Sequence, residues 1–310
     1  MAQMKIGIVS GAVYCIPLLQ ALVNSHTQVS VFSDACAAEQ DLSVVRHFCA
    51  AGMVPFQEGD PGLFYFWLEE EKPDLVFIMG FKHLIDLNRI SAQLKQHLYN
   101  IHFGALPAYR GPSPVFWQIK NGSSSLTVTI HLLSEQYDAG DIIWSKEMKR
   151  EPHLSYGTAH LLLSQVVVEG VGFIMQQMFQ KKSLSVRSQN NKKSYYHKRP
   201  ERKDVLIQWD NMAAAEVVNL ILACNPWNKG AITSFNRMEL KILDAEVMGN
   251  TAAALNVEEA GLIINHHHGL QVACKDKMII NITMLNLNDT FIPARHAALF
   301  GFIQGQFFGS

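Results

Sequence analysis

Short apolar runs alternate with amphipathic segments through the first part of this 310-residue chain. Lys5–Ser10, Val29–Phe32 and Asp74–Met79 have the composition of buried parallel strands. Ile16–Val23 and Leu42–Ala51, which lie between them, have apolar residues at helical spacing. Strands that alternate with helices predict an α/β domain with a doubly wound, mostly parallel sheet. Functional side chains of such a sheet are expected at the carboxyl ends of its strands.

The same pattern continues to about residue 180. Leu63–Glu71 is predicted to form a third helix, and Thr158–Phe179 a long one. Leu98–Phe103 and Leu126–Leu133 are predicted to be further strands of the sheet. The first domain is therefore predicted to occupy residues 1–180.

A different pattern begins after residue 204. Val205–Trp209 is strand-like and Ala213–Cys224 is helical. Five short strand-like segments then follow at a spacing near ten residues: Ala231–Phe235, Leu240–Asp244, Gly261–Asn265, Leu270–Cys274 and Met278–Leu285. This spacing predicts a small antiparallel β-barrel over residues 205–310.

Composition narrows the class of protein. Hydrophobic residues make up 48% of the chain and charged residues 17%, values that are ordinary for a globular protein. No uninterrupted apolar run reaches the roughly 18 residues that a membrane helix needs, and the N-terminus carries no signal-peptide pattern. The five cysteines are scattered, without C-x-x-C spacing, which favours reduced thiols. We expect a cytoplasmic protein without a membrane partner.

The net charge of −1 conceals a basic segment between the two predicted domains. Residues 181–203 contain nine Lys or Arg and one acidic residue, Glu201, and we interpret residues 181–204 as a linker. It is either a solvated connection or a surface that binds phosphate, from a nucleotide or from tRNA. By contrast, no Lys or Arg lies between Lys5 and Arg46, and the segment Asp34–Asp41 is acidic. This distribution disfavours a polyanionic partner near the N-terminal segment, and DNA is not expected to bind.

The residues best suited to catalysis lie on the predicted strand Leu98–Phe103 and after the next one. Asn100 and His102 alternate along an extended segment, so both side chains point to one face. Asp138 follows the next predicted strand. An amide, an imidazole and a carboxylate at strand ends are suited to acyl transfer to an amine, since they can stabilise an oxyanion and accept a proton.

Several motifs around these residues occur in an order that resembles a known family. Asn100-Ile101-His102 is followed by a Leu106-Pro107-Ala108-Tyr109-Arg110-Gly111 turn and by Asp138-Ala139-Gly140, while Gly80–Ile85 precedes them. Together they resemble the 10-formyltetrahydrofolate-dependent formyltransferases. The segments Ile207–Asp210 and Asn225–Trp227 are similar to the C-terminal domain of the members that act on methionyl-tRNA.

The resemblance implies a Rossmann-like catalytic domain, an OB-like C-terminal barrel and specific roles for residues. It implies that Asn100, His102 and Asp138 are catalytic, and that the co-substrate 10-formyltetrahydrofolate is used without a metal. By position, the residues implied to bind the folate are Met79, Phe81, His83, Ile85, Ile101, Glu135, Tyr137 and Asp141. Those implied to lie near the acceptor are Phe103, Gly104, Arg110 and Gly111. Phe103-Gly104 departs from the family's usual Gly-Ser or Pro-Ser, and Arg110 either binds an anion or braces the turn.

Several functions remain open. We favour transfer of formyl to the primary amine of a small or carrier-linked acceptor, such as a nucleotide-linked amino sugar. The alternatives are a methionyl-tRNA formyltransferase, for which tRNA would be the partner, and an inactive folate-binding protein. A glycinamide ribonucleotide transformylase is less favoured, since those enzymes lack the second domain. The run His266–His268 is a weak metal signal because no carboxylate or cysteine accompanies it. Residues Gly7–Gly11 do not form a dinucleotide-binding G-x-G-x-x-G motif.

Overall fold

The computed structural model describes residues 4–248, 259–266 and 269–309. They form two compact units, and neither unit is a continuous stretch of chain. The first consists of Met1–Pro114, Leu126–Met148 and His160–Lys198, and the second of Val115–Ser125, Lys149–Ala159 and Arg199–Ser310.

A sheet of seven strands organises the first unit. Its strands are β1 (Lys5–Val9), β2 (Gln28–Asp34), β3 (Phe56–Gly59), β4 (Leu75–Ile78), β5 (Leu98–His102), β6 (Ser125–Leu132) and β7 (Ile142–Lys149). The spatial order is β3-β2-β1-β4-β5-β6-β7. Strands β1 to β5 pair in parallel, and β6 is antiparallel to β5. The predicted doubly wound, mostly parallel sheet is therefore confirmed.

Helices connect and cover these strands. They are α1 (Ile16–Asn24), α2 (Glu39–Ala51), α3 (Pro61–Glu71), α4 (Ala92–Lys95) and α6 (Tyr156–Phe179), whereas α5 (Pro114–Lys120) follows β5 in the chain but, apart from Pro114, belongs to the second unit. Helix α3 shows how local sequence sets a boundary, because Oδ1 of Asp60 accepts hydrogen bonds from the backbone N–H of Gly62 and Leu63 at 2.7 and 3.1 Å. Pro61 at the first helical position needs no such partner, since it has no N–H.

Helix α6 is long and apolar enough to cross a membrane by length and composition. Polar residues such as Gln165, Glu169 and Gln176 interrupt its apolar residues, so the helix contains no uninterrupted apolar run of that length. One face of the helix is buried, through Leu163, Val167, Val171 and Ile174. A Cβ atom built on Gly170 of this helix would lie 2.6 Å from the Trp144 ring and 2.7 Å from Ile130. The helix therefore packs closely on β6 and β7, and this contact accounts for the apolar residues of its buried face.

The second unit contains a curled antiparallel sheet. It is formed by β8 (Ala231–Phe235), β9 (Met238–Val247), β10 (Ile263–Asn265), β11 (Leu270–Ala273), β12 (Ile279–Leu287), β13 (Thr290–Pro293) and β14 (Phe308–Gly309), with helix α7 (Ala214–Cys224). The order is β10-β11-β12-β9-β8-β14, with β13 paired to β12. A bridge between Leu262 and Phe307 links the two ends of that order. The C-terminal antiparallel barrel prediction is confirmed as a curled sheet, although Val205–Trp209 contributes only a bridge from Leu206 to Ile232.

Three segments from different parts of the chain meet in this second unit. Arg150 Nη2 donates to Asn219 Oδ1 at 2.8 Å, and Lys120 Nζ donates to the carbonyl of Asp204 at 2.7 Å. The rings of Phe116 and Trp227 are in edge contact, 5.7 Å apart. Residues 115–125 and 149–159 are thus integral to the unit that residues 199–310 complete.

Candidate active site

Two neighbouring strands bring the polar side chains of the site together. Asn100 lies on β5 opposite His131 of β6, and His102 lies opposite Thr129. Because residues two apart share a face of a strand, the side chains of Asn100 and His102 point in the same direction. Asp138, from the loop between β6 and β7, lies over this pair.

Asp138 contacts three side chains and one backbone N–H. Its Oδ1 lies 3.4 Å from Nδ1 of His102, 3.7 Å from Nε2 of His131 and 3.2 Å from Nδ2 of Asn100, which donates to it. Its Oδ2 accepts from the backbone N–H of Gly111 at 2.8 Å. The structure therefore brings together all three residues that the sequence analysis implied to be catalytic.

The charge of Asp138 is fixed by these contacts. Burial raises the pKa of the carboxyl, but His102, His131 and the N–H of Gly111 together outweigh burial and lower this pKa to about 2. The carboxylate is therefore ionised at neutral pH. Its side chain is 12% exposed, so solvent screens it little.

His102 is subject to opposing influences. Burial lowers the pKa of its imidazole, Asp138 and the backbone carbonyl of Tyr109 raise it, and His131 lowers it further, with a net decrease. Nε2 lies 2.6 Å from the carbonyl oxygen of Tyr109, which can only accept, so Nε2 donates. The lone pair of the neutral ring is consequently on Nδ1, which faces Asp138. A proton taken up there is stabilised by the carboxylate.

We expect an NMR titration to show that His102 is neutral at pH 6.5, the ordinary midpoint of histidine. Since its folded-state pKa is depressed, the stability that neutral His102 contributes is present above pH 6.5 and is lost as the pH falls through the folded-state pKa. The titration of ¹⁵N-histidine-labelled protein, assigned with His102→Gln, measures this midpoint. In Asp138→Asn the midpoint should move lower still, because the attraction of the carboxylate is removed. A midpoint above 6.5 in the parent would contradict this description.

Hydrogen bonds of His131 and Thr129 fix the side-chain amide of Asn100 and the turn that follows β5. Nδ1 of His131 donates to the carbonyl of Leu132 at 2.8 Å, and Nε2 lies 3.0 Å from Nδ2 of Asn100, which can only donate. Thr129 donates through Oγ1 to the carbonyl of Gly104 at 2.8 Å. Both hydrogens of the Asn100 amide are thus used, one on His131 and one on Asp138. Contact with a substrate oxyanion requires Asn100 to exchange one of them.

A small cavity of about 60 Å³ adjoins the polar cluster. Among the residues implied to bind folate, Phe81, His83, Ile85 and Tyr137 line it, together with Asn100 and Asp138. The Phe81 ring is itself fixed by ring contacts with Phe64 at 5.6 Å and Phe32 at 6.4 Å. The other four residues of that set, Met79, Ile101, Glu135 and Asp141, do not line this cavity. Apolar side chains such as Phe81 and Ile85 line one part of this cavity and polar ones such as His83 and Tyr137 line the rest, and we call the cavity the slot.

The residues implied to lie near the acceptor mainly shape the turn after β5. Phe103 is buried with its ring 5.4 Å from His160, and a Cβ on Gly104 would lie 2.7 Å from Nε2 of His102. Gly111 has a φ of +109°, and a Cβ there would meet the carbonyl oxygen of His197 at 2.0 Å. The buried Arg110 donates to Oε1 of Gln189 and to Oδ1 of Asn191. In this structure Arg110 therefore braces the turn.

Sequence reasoning missed Gln189, which contacts both Arg110 and the Asp138 loop. The residue lies 51 positions from Asp138 in a polar linker, and no local pattern distinguishes it from its neighbours. Within the part of the chain that the structure describes, no group of three or more His, Cys, Asp or Glu could hold a metal. His266 belongs to that part, whereas residues 267–268 of the histidine run lie outside it.

Comparison with known proteins identifies the family. The model of the formyl transferase family matches residues 27–161, and that of the formyl transferase C-terminal domain matches residues 200–291. The methionyl-tRNA formyltransferase of Clostridium beijerinckii is 28% identical over 215 residues, which are 69% of this chain and 67% of the relative. The relative from Bacillus subtilis is 28% identical over 198 residues, which are 62% of this chain and 61% of the relative.

Two solved structures share the fold. HypX from Aquifex aeolicus in complex with tetrahydrofolic acid superposes with a TM-score of 0.68 at 19% identity, over 97% of this chain and 48% of HypX. An N-formyltransferase from Helicobacter canadensis, in complex with folinic acid and dTDP-3-aminofucose, gives a TM-score of 0.68 at 17% identity, over 90% and 99% of the respective chains. The two family models follow one another along this chain and together match more than two thirds of it, so the protein belongs to the formyl transferase family.

Proposed function

We propose that this protein transfers a formyl group from 10-formyltetrahydrofolate to a primary amine of a small or carrier-linked acceptor. The observation that carries the proposal is that Asp138 contacts both Asn100 and His102, and that Asn100 and Asp138 line the slot. Family membership and the folates bound to similar folds are consistent with it. We assign the catalytic roles to these three residues.

The reaction needs a group that accepts protons and a hydrogen-bond donor that stabilises the oxyanion. The acceptor ammonium gives up a proton, its nitrogen attacks the formyl carbon, and a tetrahedral oxyanion forms. The bond from this carbon to N10 then breaks, and a second proton from the amine passes to N10. Neutral His102 beside an anionic Asp138 can hold the first proton, since the imidazolium would donate to Asp138 and to the carbonyl of Tyr109 at once. Asn100 supplies amide hydrogens to the oxyanion when it releases one of its present partners.

The folate is proposed to lie in the slot beside these residues. Phe81 and Ile85 form an apolar wall, while His83 and Tyr137 place polar atoms at its edge. His83 is oriented by Asp34, whose Oδ2 lies 2.9 Å from its Nε2. A folate analogue is expected to compete with the co-substrate here, and Ile85→Trp should weaken its binding by filling the slot. A chelator should leave turnover unchanged.

The acceptor is proposed to be linked to a nucleotide, as in an amino sugar. The surface that supports this is the segment 187–197, which we call the strap. It carries exposed cations at Lys192 and Lys193 and half-exposed rings at Tyr195 and Tyr196. Burial raises the pKa of the Tyr196 hydroxyl, and Asp138 and Tyr137 raise this pKa further. Tyr196 also forms a bridge with Arg110, which precedes the Gly111 that binds the Asp138 carboxylate. Cations beside aromatic rings match a phosphate next to a planar base.

A methionyl-tRNA acceptor is the second candidate, and the sequence relatives are the observation that favours it. The acidity of the N-terminal segment argues against tRNA less strongly than the sequence alone indicated. Asp34 is buried against His83, and Glu39 pairs with Arg46 at 3.3 Å. Fewer free negative charges therefore remain there to repel a polyanion.

A direct comparison of acceptors tests the proposal. The protein and 10-formyltetrahydrofolate are incubated with dTDP-linked amino sugars, free amino sugars, amino acids or methionyl-tRNA, and the acceptor's mass gain is measured. We expect the largest kcat/KM with a nucleotide-linked amine. Efficient formylation of methionyl-tRNA at physiological salt would establish the second candidate instead. Folate binding without turnover on any amine would favour an inactive folate-binding protein.

Reversing the charge of Lys192 and Lys193 together should raise the KM for a phosphorylated acceptor about tenfold, the change expected when about 1.4 kcal/mol of binding is lost. The KM for the folate should stay within twofold, because its proposed slot does not include these residues. Lys181→Glu with Lys182→Glu is the matched control, since it makes the same charge change in the exposed segment directly after α6. Equal effects of the two double variants would show that net charge, rather than a site on the strap, is responsible.

A further inference from the structure

The strap is fixed along the turn after β5 by backbone hydrogen bonds. The N–H of Tyr195 donates to the carbonyl of Pro107 at 3.2 Å, and Arg110 exchanges bonds with Tyr195 and His197 at 3.1 and 2.9 Å. At its other end, Arg187 exchanges two bonds of 2.9 Å with Ile142 of β7. The strap therefore connects the turn 107–111 with the start of β7, and the Asp138 loop lies between these two positions in the chain.

One side chain of the strap makes four hydrogen bonds within this arrangement. Nε2 of Gln189 donates to the backbone carbonyl of Asp138 at 2.9 Å and to that of Gly140 at 2.7 Å. Oε1 of Gln189 accepts from Nε and Nη2 of Arg110 at 3.1 and 2.8 Å. Both hydrogens and both lone pairs of the amide are thus directed at partners. Gln189 joins the Asp138 loop to Arg110 in the turn.

The backbone of Asp138 is one that needs such support. Its φ of +54° lies in the left-handed region, which is uncommon for residues with a Cβ, although aspartate adopts it more readily than most. Gln189 holds the carbonyl of this residue, while Gly111 holds its carboxylate through a 2.8 Å hydrogen bond. From this backbone position the Asp138 carboxylate contacts His102 and Asn100.

We propose that Gln189 is a positioning residue, which keeps the Asp138 carboxylate against His102 by binding the backbone of the Asp138 loop. This inference rests on the proposed formyl transfer for its kinetic consequence. In the Asp138 loop Gln189 binds only backbone carbonyls, and it touches none of the side chains to which we assign the reaction. Its effect is therefore expected on kcat and not on substrate affinity.

Three variants separate the two halves of the Gln189 amide. Gln189→Ala removes both halves. Gln189→Glu keeps oxygen acceptors for Arg110 and removes the donors to the Asp138 and Gly140 carbonyls. Asn191→Ala is the matched control, since it removes an acceptor of Arg110 at 3.1 Å from the same strap without altering a contact to the Asp138 loop.

We expect kcat to fall about 10- to 100-fold in Gln189→Ala and in Gln189→Glu, a loss consistent with a displacement of about 1 Å in a catalytic group. The KM for either substrate should remain within threefold, and Asn191→Ala should stay within threefold of the parent in kcat. Parent-like turnover of Gln189→Glu would show that Gln189 only braces Arg110 and would overturn the proposal. Parallel changes in kcat, KM and melting temperature would overturn it as well, as evidence of a general structural role.

The titration of His102 gives a readout that does not require turnover. If Gln189→Ala releases Asp138, the His102 midpoint should fall below that of the parent, as in Asp138→Asn. An unchanged midpoint would contradict the positioning role whatever the kinetics show. If the parent formylates no amine but the midpoint still falls, the positioning role stands and the proposed formyl transfer fails.

Discussion

Replacing Asp138 with asparagine should lower turnover about 10²- to 10⁴-fold, the range associated with loss of a general acid–base group. The amide has nearly the same size and can still accept from the N–H of Gly111, but it carries no charge to stabilise a protonated His102. His102→Ala should cause a loss of similar size. The affinity for a folate analogue should change less than threefold in both variants, since the loss is in the transition state.

Single-turnover kinetics and equilibrium folate binding check this result. Glu147→Gln is the control, because it neutralises an exposed carboxylate on β7 of the same unit. Turnover of Asp138→Asn or His102→Ala within a few-fold of the parent would show that the active site has been misplaced. A large loss of folate affinity would instead assign these residues to binding.

Replacing Gly140 with alanine should lower the free energy of unfolding by about 3 kcal/mol, the upper part of the range for overpacking. A Cβ atom at this position would lie 1.7 Å from the carbonyl oxygen of Leu132, and backbone on both sides would have to move. That movement breaks the bond of 2.9 Å from the N–H of Leu132 to the carbonyl of Asp141. Turnover should fall too, because the movement also displaces the carbonyl of residue 140, which accepts a hydrogen bond from Gln189.

Gly172→Ala is the matched control for this change. Gly172 is exposed within α6, and a Cβ there meets nothing within 4 Å. Alanine should therefore stabilise the helix, by up to about 1 kcal/mol. Urea denaturation of the parent and both variants measures the two effects. A Gly140→Ala protein as stable as the parent would show that the Asp138 loop can shift without cost.

The sequence predicted the sheet well because buried parallel strands have a continuous apolar signal. Strands β1 and β4 were predicted in this way, and almost all of their residues are buried. Strand β3 was missed, since Phe56–Gly59 is a short edge strand in which only one residue is buried. Strand β7 was missed because its polar second half is largely exposed.

The candidate site was predictable only as far as its residues follow recurring motifs. Asn100, His102 and Asp138 do so, and Asp138 lies within hydrogen-bonding or ion-pair distance of the other two. The partners of Arg110 were not predictable, because they come from residues about 80 positions later in the chain. Likewise, the sequence could not show that both amide hydrogens of Asn100 have partners, since this depends on the tautomer that Leu132 imposes on His131.

The discontinuous second unit affects the way in which this protein is made on the ribosome. Phe116 and Ile119 are fully buried in the finished protein, yet Trp227, the ring partner of Phe116, is synthesised much later. At about 5–20 residues per second, the ribosome needs roughly 4–15 s to extend the chain from residue 125 to residue 199. Throughout this interval the partners that α5 has among residues 199–310, Trp227 among them, have not yet been synthesised. A fragment consisting of residues 205–310 alone would lack segments 115–125 and 149–159, so an isolated C-terminal domain should include both.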